Sequence, residues 1–288
     1  MNMIYRHRGI LSVFFGAVCF SFAGVLIKMI DWPAVPSYGG RSFFTFFAIL
    51  VYMVLSGHRI YLSPKIILGA VIFSVMNNTI TMSTLLTTAG NAIMLQFTMP
   101  LFIILFTWMI FRKRPGRLEV LCSIGVFIGM ICFFLDQLSG DSFLGNILGI
   151  VSGICCALVY MMKQLPGFDY DNSLLWSCVL SFLIGIPYYG SVNWSFQNIF
   201  FIFIAGFFQT GAGFILMSFG LDLVSPIAAA LTSTIEPILT PFWTLLFLGE
   251  FLSPFAMVGA VIVLATSLIY NISAGRKQPV ADADTGHI

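Results

Sequence analysis

The sequence predicts an all-α polytopic membrane protein with ten transmembrane helices, arranged as two inverted five-helix repeats. Three observations predict this fold. Of the 288 residues, 59% are hydrophobic and only 8% are charged, whereas a soluble domain carries about 25% charged residues. The apolar residues form ten long runs separated by polar or proline-containing breaks. The two halves of the chain also match each other at one constant offset.

The first half holds five apolar runs, each long enough to cross a ~30 Å hydrocarbon core at ~1.5 Å per residue. They cover residues 9–30, 38–55, 65–86, 92–111 and 118–135. The breaks between them are Asp31-Trp32-Pro33, Gly57-His58-Arg59 with Ser63-Pro64, a predicted tight turn at Ala89-Gly90-Asn91, and the charge run from Arg112 to Arg117.

The second half repeats this organisation. A polar loop at residues 136–145 precedes runs at 146–162, 172–189, 198–221, 226–250 and 254–272. Pro166-Gly167 closes the first of these runs, and Ser225-Pro226 and Ser253-Pro254 are start signals for the last two. We therefore expect one repeat at 9–135, a second at 146–272, and a disordered cytoplasmic tail at 273–288.

The positive charges predict the orientation. Placing the N-terminus inside puts only Lys28 and Arg41 on the outer flanks. The inner segments then hold Arg6, Arg8, Arg59, Lys65, Arg112, Lys113, Arg114, Arg117, Lys163, Arg276 and Lys277. Lys and Arg concentrate on the cytoplasmic side of membrane proteins. Both termini are therefore predicted to be cytoplasmic, in a bacterial inner membrane, and the first run is too long for a cleavable signal peptide.

The internal repeat follows from an offset of 137 residues (153 − 16 = 137). Gly16 then falls on Gly153, and the other matches are Cys19 with Cys156, Gly69 with Gly206, Ala92 with Ala229, Pro100 with Pro237 and Thr107 with Thr244. Because each half holds an odd number of helices, the second half must cross the membrane in the opposite sense. Inverted repeats of this kind place a site near the midplane, between the halves, and allow access to alternate between the two faces.

Glu236-Pro237 is the strongest candidate for that site. Glu236 lies about 11 residues into its helix, roughly 16 Å deep, where an acidic side chain costs about 2.5–3.5 kcal/mol. Pro237 and its repeat equivalent Pro100 each remove a backbone donor and are predicted helix breaks. Both features are tolerated where protein or a water-filled cavity surrounds them. Glu236 is a candidate for proton coupling or for binding a cationic group, and the alternative is a protonated acid packed between helices.

Other polar residues inside apolar runs are candidates for the same cavity. They are Asn77, Asn78, Gln96, Gln209, Tyr160 and Trp176. Asn77 and Asn78 differ by about 100° around a helix, so one of them is expected to face the cavity. For each residue the alternative is a hydrogen bond between helices, or, for the aromatic residues, a lipid-facing position. Lys28, Arg41 and Glu250 near the outer ends are candidate gating or electrostatic residues, with snorkelling to the interface as the alternative for Lys28 and Arg41.

The layout resembles the drug/metabolite transporter superfamily, and within it the EamA-type exporters. The likeness depends on two five-helix repeats, Lys28, Arg41, and a ninth helix with Glu236-Pro237 followed by Leu248-Gly249-Glu250. It covers about residues 9–272. It implies an alternating-access carrier with a cavity lined by helices 1, 3, 4, 6, 8 and 9, moving amino acids, other metabolites, nucleotide sugars or drugs, often outward. One departure is Arg112-Lys113, which stands where the second repeat has Gly249-Glu250.

These observations favour a secondary active transporter, an exporter of a small metabolite such as an amino acid or an amphipathic cationic compound. The alternatives are a membrane-embedded enzyme, disfavoured because no histidine or paired carboxylate lies within a run, and a receptor or scaffold without flux.

No catalytic residue, metal site or cofactor is expected, and the six cysteines are interpreted as small hydrophobic residues. The expected partners are a small-molecule substrate with proton coupling left open, and the lipid bilayer. The net charge of +2 gives no support for nucleic-acid binding. A monomer is the default, with a dimer left open, and a lone midplane acid without a base favours a cation, a zwitterion or a neutral amphipathic molecule.

Overall fold

The computed structural model describes residues 3–112, 114, 116–135 and 143–249, and scattered positions between 254 and 269 (254, 255, 257–259, 261, 262, 265, 266 and 269). These described residues form helices and connecting turns and contain no strand. Eight helical segments among them are long and apolar enough to cross a membrane. Glu250, most of the expected tenth helix, and the expected tail at 273–288 lie outside the described residues.

The first half consists of seven helical pieces. They are α1 (Met3–Ser21), α2 (Ala23–Met29), α3 (Ala34–Leu55), α4 (Pro64–Leu86), α5 (Ala89–Gln96), α6 (Met99–Phe111) and α7 (Arg117–Leu135). The pieces α1/α2 and α5/α6 each form one membrane-crossing segment. The tight turn predicted at residues 89–91 is wrong, because the Thr88 side chain caps the backbone N–H of Asn91 and these residues form the first turn of α5.

The second half follows the same plan. Its pieces are α8 (Phe143–Met161), α9 (Tyr170–Gly185), α10 (Phe196–Phe203), a π-helical segment (Ile204–Ala212), α11 (Gly213–Leu223), α12 (Pro226–Thr232) and α13 (Ile235–Leu248). The segment α10 to α11 crosses as one unit, as does α12/α13. Side chains of Asp169, Ser195 and Ser225 cap the starts of α9, α10 and α12, which explains why these helices begin where they do.

The helix breaks of the two halves correspond, to within one residue, at the 137-residue offset found in the sequence. The crossing segment that contains Pro100 is broken at Phe97–Thr98, and the one that contains Pro237 is broken at Ser233–Thr234. Each break lies just before its proline, because the proline has no N–H to donate to the carbonyl one turn earlier. The two breaks are therefore equivalent features of the repeat.

The ends of α6 and α13 also correspond, although their sequences differ. Gly249 ends α13 in the left-handed conformation, with φ = 69°, and Arg112 ends α6 in the same conformation, with φ = 51°. The two positions are 137 residues apart (249 − 112 = 137). Glycine adopts this conformation without steric cost, whereas arginine pays about 1–2 kcal/mol. Arg112 therefore replaces the glycine of the Gly-Glu pattern in the first repeat, while the left-handed backbone conformation at the helix end is the same in both repeats.

The described helices form two bundles, A and B, which pack directly against each other through an extensive contact between α3 and α9. In bundle A, α1 packs against α11 and α13, and α3 packs against the π-helical segment. In bundle B, α8 packs against α4 and α6, and α9 packs against α4. The 137-residue offset converts each bundle A contact into a bundle B contact, so the two bundles have the same design. Each bundle draws helices from both halves of the chain.

Two glycines that match in the repeat allow the closest approaches within these bundles. A Cβ on Gly69 of α4 would collide with the Ser173 side chain of α9, and one on Gly206 would collide with the Arg41 carbonyl oxygen of α3. Small residues let membrane helices approach closely where the hydrophobic effect gives no driving force between them. The matched glycines therefore set a close spacing between helices within each bundle.

We call the membrane face at which α1 begins the proximal face, and the opposite face the distal face. On the proximal face, the Asn172 side chain accepts a hydrogen bond from the Tyr61 backbone N–H at 3.1 Å and donates one to the Arg59 carbonyl oxygen at 3.0 Å. On the distal face, the Asn198 side chain accepts from the Asp31 backbone N–H at 3.0 Å. On each face these contacts therefore hold a loop against the start of a neighbouring helix.

Candidate binding cavity

A small cavity of about 70 Å³ lies between bundles A and B. Bundle A lines it from α1/α2, α3, the π-helical segment, α11 and α13, and bundle B lines it from α4, α5/α6 and α8. The cavity is thus bordered by both helix breaks and by the π-helical segment. Irregular helical backbone in a membrane protein is tolerated where it lines a cavity, and π-helical segments occur frequently at functional sites.

Glu236 lines the cavity from the first turn of α13. Its side chain is buried, with 7% of its surface exposed. The break at Ser233–Thr234 ends α12 and starts a new helix N-terminus here, and the backbone N–H of Glu236 donates to the Ser233 carbonyl oxygen at 2.9 Å. A helix N-terminus carries partial positive charge and stabilises an acidic group. The break that Pro237 produces therefore gives Glu236 a favourable position inside the membrane.

Arg41 lines the same cavity from α3, and this corrects the sequence analysis. The sequence predicts Arg41 on the outer flank, whereas the structure places it in the same cavity lining as Glu236, on the distal side. Helix α3 begins at Ala34, four residues earlier than expected, so Arg41 lies about 10 Å along it. Only 3% of Arg41 is exposed. Its Nη2 donates a hydrogen bond to Thr81 Oγ1 at 2.7 Å.

Three amide side chains in the lining are partly engaged by neighbouring groups. Asn77 Nδ2 donates to the Phe73 carbonyl oxygen at 3.0 Å, and Gln96 Nε2 donates to Ser152 Oγ at 2.8 Å. Gln209, in the π-helical segment, accepts from Thr210 Oγ1 at 2.9 Å. Each amide therefore keeps hydrogen-bonding capacity beyond these contacts, and the structure places all three in one cavity.

Tyr160 lines the cavity on its proximal side. Its hydroxyl forms a hydrogen bond with Ser233 Oγ at 3.0 Å, which connects α8 of bundle B to the helix break of bundle A. On the distal side, the bond from Arg41 to Thr81 connects α3 of bundle A to α4 of bundle B. Polar contacts between the bundles thus lie on both sides of the cavity.

The structure places the remaining sequence candidates away from the lining. Asn78 is turned from the cavity and donates to the Ser74 carbonyl oxygen at 2.9 Å, so of the adjacent pair only Asn77 is in the lining. Trp176 lies near the proximal face, where its Nε1 donates to the Tyr61 carbonyl oxygen at 3.1 Å. Lys28 is half-buried at the end of α2, outside the lining. Pro100 and Pro237 are buried beside the breaks without lining the cavity.

The apolar wall of the cavity was not predicted from the sequence. This wall includes Phe20, Phe97, Met99, Phe214 and Cys156. Met99 occupies the repeat position of Glu236 (236 − 99 = 137), so the offset was a signal that could have identified it. The two equivalent positions both reach the cavity, one with a carboxyl group and the other with an apolar side chain. The two halves therefore contribute matched helix breaks to the cavity, but they differ in its side chains and in the π-helical segment, whose repeat counterpart at residues 67–75 is regular α-helix.

Comparison with known proteins agrees with this architecture. The sequence profile of the EamA-like transporter family matches residues 7–135 and again residues 143–272. The chain belongs to the EamA-like transporter family. The resemblance predicted from the sequence is confirmed. A relative from Archaeoglobus fulgidus, named "Uncharacterized transporter", is 22% identical over 271 residues, which are 91% of this chain and 95% of the relative.

A solved structure described as "Crystal structure of protein" has the same fold as this EamA-like transporter. The TM-score is 0.74, with 13% identity, and the match covers 93% of this chain and 99% of the other. The chain is thus an integral membrane protein of a transporter family, and the family and relative names point to a transporter instead of an enzyme.

A polar network at the proximal ends of the bundles is a further feature of this transporter. Lys163 Nζ at the end of the α8 segment lies 2.8 Å from Asp222 Oδ2 of α11. Ser218 Oγ of α11 donates to Asp171 Oδ1 of α9 at 2.5 Å, and His58 Nδ1 lies 3.6 Å from Asp171 Oδ2. Asp222 is 55% exposed, whereas Asp171 is 9% exposed. The network connects bundle A to bundle B between the cavity and the proximal face.

Proposed function

We propose that this chain is a secondary active transporter that exports a small metabolite, such as an amino acid or an amphipathic cationic compound, by alternating access around the cavity. The observation that carries the proposal is the cavity itself. It lies between two bundles of the same design, and it contains an acid, a base and three amides deep within apolar helices. Buried ionisable groups at this depth are costly and mark a substrate or ion pathway by default.

The presence of Glu236 and Arg41 in one cavity favours some of the substrate classes expected from the sequence over others. A carboxyl group and a guanidinium in one small site suit a molecule that carries both charges better than a simple cation. The apolar wall suits an uncharged side chain. An amino acid with an apolar side chain has all three features, and we propose it ahead of the cationic compounds.

Alternating access requires the two bundles to separate first on one face and then on the other. The proximal network and the Tyr160–Ser233 hydrogen bond are the contacts that must break for the cavity to open at the proximal face. The Arg41–Thr81 bond must break for opening at the distal face. We propose that the proximal face is cytoplasmic, because Arg59, Lys65 and Lys163 lie there.

Several finer features belong to the same proposal. We expect ten membrane-crossing helices in two inverted repeats, repeat boundaries at 9–135 and 146–272, and both termini in the cytoplasm of a bacterium. The protein is proposed to act as a monomer. Glu236 is its candidate proton-coupling residue, and Asn77, Gln96, Gln209 and Tyr160 are its candidate substrate contacts.

Counterflow in liposomes tests the proposal directly. Purified protein is reconstituted into vesicles that are preloaded with unlabelled leucine, and uptake of trace labelled leucine is followed over time. A carrier is expected to accumulate label transiently above equilibrium, because the inner pool occupies the returning site. The panel is extended to phenylalanine, threonine and choline. Absence of counterflow for every compound, in protein that remains folded, would contradict the proposal, because neither a receptor nor an enzyme exchanges label.

A further inference from the structure

The distal wall of the cavity holds a cationic side chain that has no anionic partner within the described residues. Of the ion pairs found there, none includes Arg41. Among the described residues, the guanidinium makes one hydrogen bond, from Nη2 to Thr81, and Nε is buried without a hydrogen-bond partner. The Tyr38 ring, 5.2 Å from the guanidinium carbon, adds a cation–π contact. Most of the donor capacity of a buried charge is therefore unused.

An arrangement of this kind is costly for a protein without its ligand. Arginine stays protonated in proteins and presents five N–H donors in a planar fork. A buried charge is retained where a partner supplies the opposite charge, since an uncompensated one is strongly destabilising. Thr81 cannot supply that charge, because its hydroxyl is neutral and donates its own proton to the Asn77 carbonyl oxygen at 2.7 Å. The cavity is thus incomplete without an anion at Arg41.

We infer that Arg41 binds a carboxylate group of the transported molecule, and that Arg41 thereby sets the specificity of transport. The inference rests on the proposed function and adds a chemical requirement to it. A carboxylate matches the guanidinium fork and carries one negative charge. A phosphate group carries about −1.5 to −2 at neutral pH, which exceeds the single positive charge of the described lining and adds repulsion from Glu236.

The inferred role differs from a structural one in its effect on stability. If Arg41 only joins α3 to α4 through Thr81, then Arg41→Met and Thr81→Val remove the same bond and both should lower the melting temperature. If Arg41 awaits a ligand, Arg41→Met removes an unpaired buried charge. The ligand-free variant should then melt at the same temperature as the wild type or higher. Binding groups commonly lower stability in this way.

The experiment measures binding by thermal shift for matched probes that share one apolar tail. Leucine carries an ammonium and a carboxylate, leucinamide and isoamylamine lack the carboxylate, and isocaproate lacks the ammonium. Phenylalanine and phenylalaninamide repeat the comparison with a larger tail. The variants are Arg41→Met, Arg41→Lys and Thr81→Val, and Arg59→Met, at an exposed position on the proximal face, is the matched control.

The expected result has three parts. Carboxylate probes bind the wild type and the Arg59→Met control equally, and bind Arg41→Met about 10- to 100-fold more weakly, as for the loss of one charge-assisted hydrogen-bonded contact. Arg41→Lys retains an intermediate affinity because it keeps the charge and loses the fork. Thr81→Val binds carboxylates at least as well as the wild type, because a competing acceptor is gone.

Other results would overturn the inference. These are equal binding of leucine and leucinamide, unchanged carboxylate binding in Arg41→Met, no carboxylate ligand for the wild type, or a shared loss of stability in Arg41→Met and Thr81→Val. Counterflow separates this inference from the proposed function. If isoamylamine or choline is exchanged equally well by the wild type and by Arg41→Met, the protein is a carrier but the carboxylate site is wrong. If carboxylate probes bind through Arg41 but no compound is exchanged, the carboxylate site holds and the proposed transport function is wrong.

Discussion

Replacing Glu236 by glutamine is expected to lower transport driven by a pH gradient at least about tenfold. The substitution keeps the shape of the side chain and removes its charge and its titratable proton. A tenfold loss corresponds to about 1.4 kcal/mol of interaction, which is small beside the cost of keeping a carboxyl group at this depth. Folding should be preserved, because no side-chain hydrogen bond of Glu236 is found among the described residues and the amide is cheaper to bury.

Counterflow then separates the two roles open to Glu236. Counterflow retained in Glu236→Gln, with gradient-driven uptake lost, indicates that Glu236 carries the coupled proton. Loss of both indicates that its charge holds the substrate ammonium group. Glu119→Gln is the control, because Glu119 lies in the first turn of α7, where its Oε2 accepts the Gly116 backbone N–H outside the cavity. Unchanged transport by both measures in Glu236→Gln would contradict a role for this carboxyl group.

Joining the two bundles at the proximal face is expected to stop transport. Cysteines introduced at Lys163 and Asp222, whose charged atoms lie 2.8 Å apart, are connected by a short bis-methanethiosulfonate linker. If the bundles must part there for the cavity to open, counterflow should fall at least about tenfold after linking. Reduction of the linker should restore it. The physical reason is that the ion pair can break and re-form during opening, whereas a covalent bridge cannot.

A second pair provides the control for this linking. Lys65 Nζ donates to the Pro166 carbonyl oxygen at 2.7 Å, and both residues flank helices of bundle B. A linker between cysteines at these two positions stays within one bundle and should leave counterflow unchanged. Full transport with the Lys163–Asp222 bridge in place would show that the bundles do not separate at this face. Loss of transport with both bridges would indicate general damage.

The helices were predictable because the backbone N–H and C=O groups of an apolar run in lipid have no water to bind, and a helix satisfies them within the run. The repeat was predictable because glycines and prolines act on the backbone at fixed positions, so Pro100 and Pro237 produce breaks at equivalent points. Hydropathy cannot locate a helix start that is itself polar or proline-rich. That is why α3 was expected to begin after Pro36, when it begins at Ala34.

This small error in a boundary had the largest consequence for the site. Because α3 begins earlier than predicted, Arg41 lies in the cavity instead of on the outer flank, and the candidate site carries a positive charge as well as the carboxyl group of Glu236. The rotation of a helix is equally hard to read from one sequence. Asn77 and Asn78 are neighbours, and only packing against α8 and α9 decides which faces inward. Trp176 was a candidate by residue type, and its distance from the cavity depends on where α9 begins.

The most direct test of the central claim uses Cys156, which lines the cavity and is 8% exposed. A variant that keeps Cys156 and replaces the other five cysteines is reconstituted in one orientation and treated with a membrane-impermeant thiol reagent from either face. Alternating access predicts that Cys156 is labelled from both faces and that leucine slows this labelling. It also predicts that labelling from the proximal face is lost when α8 and α11 are joined there by a bridge that does not use thiol chemistry. Labelling from one face alone, or from neither in a transport-competent protein, would contradict it.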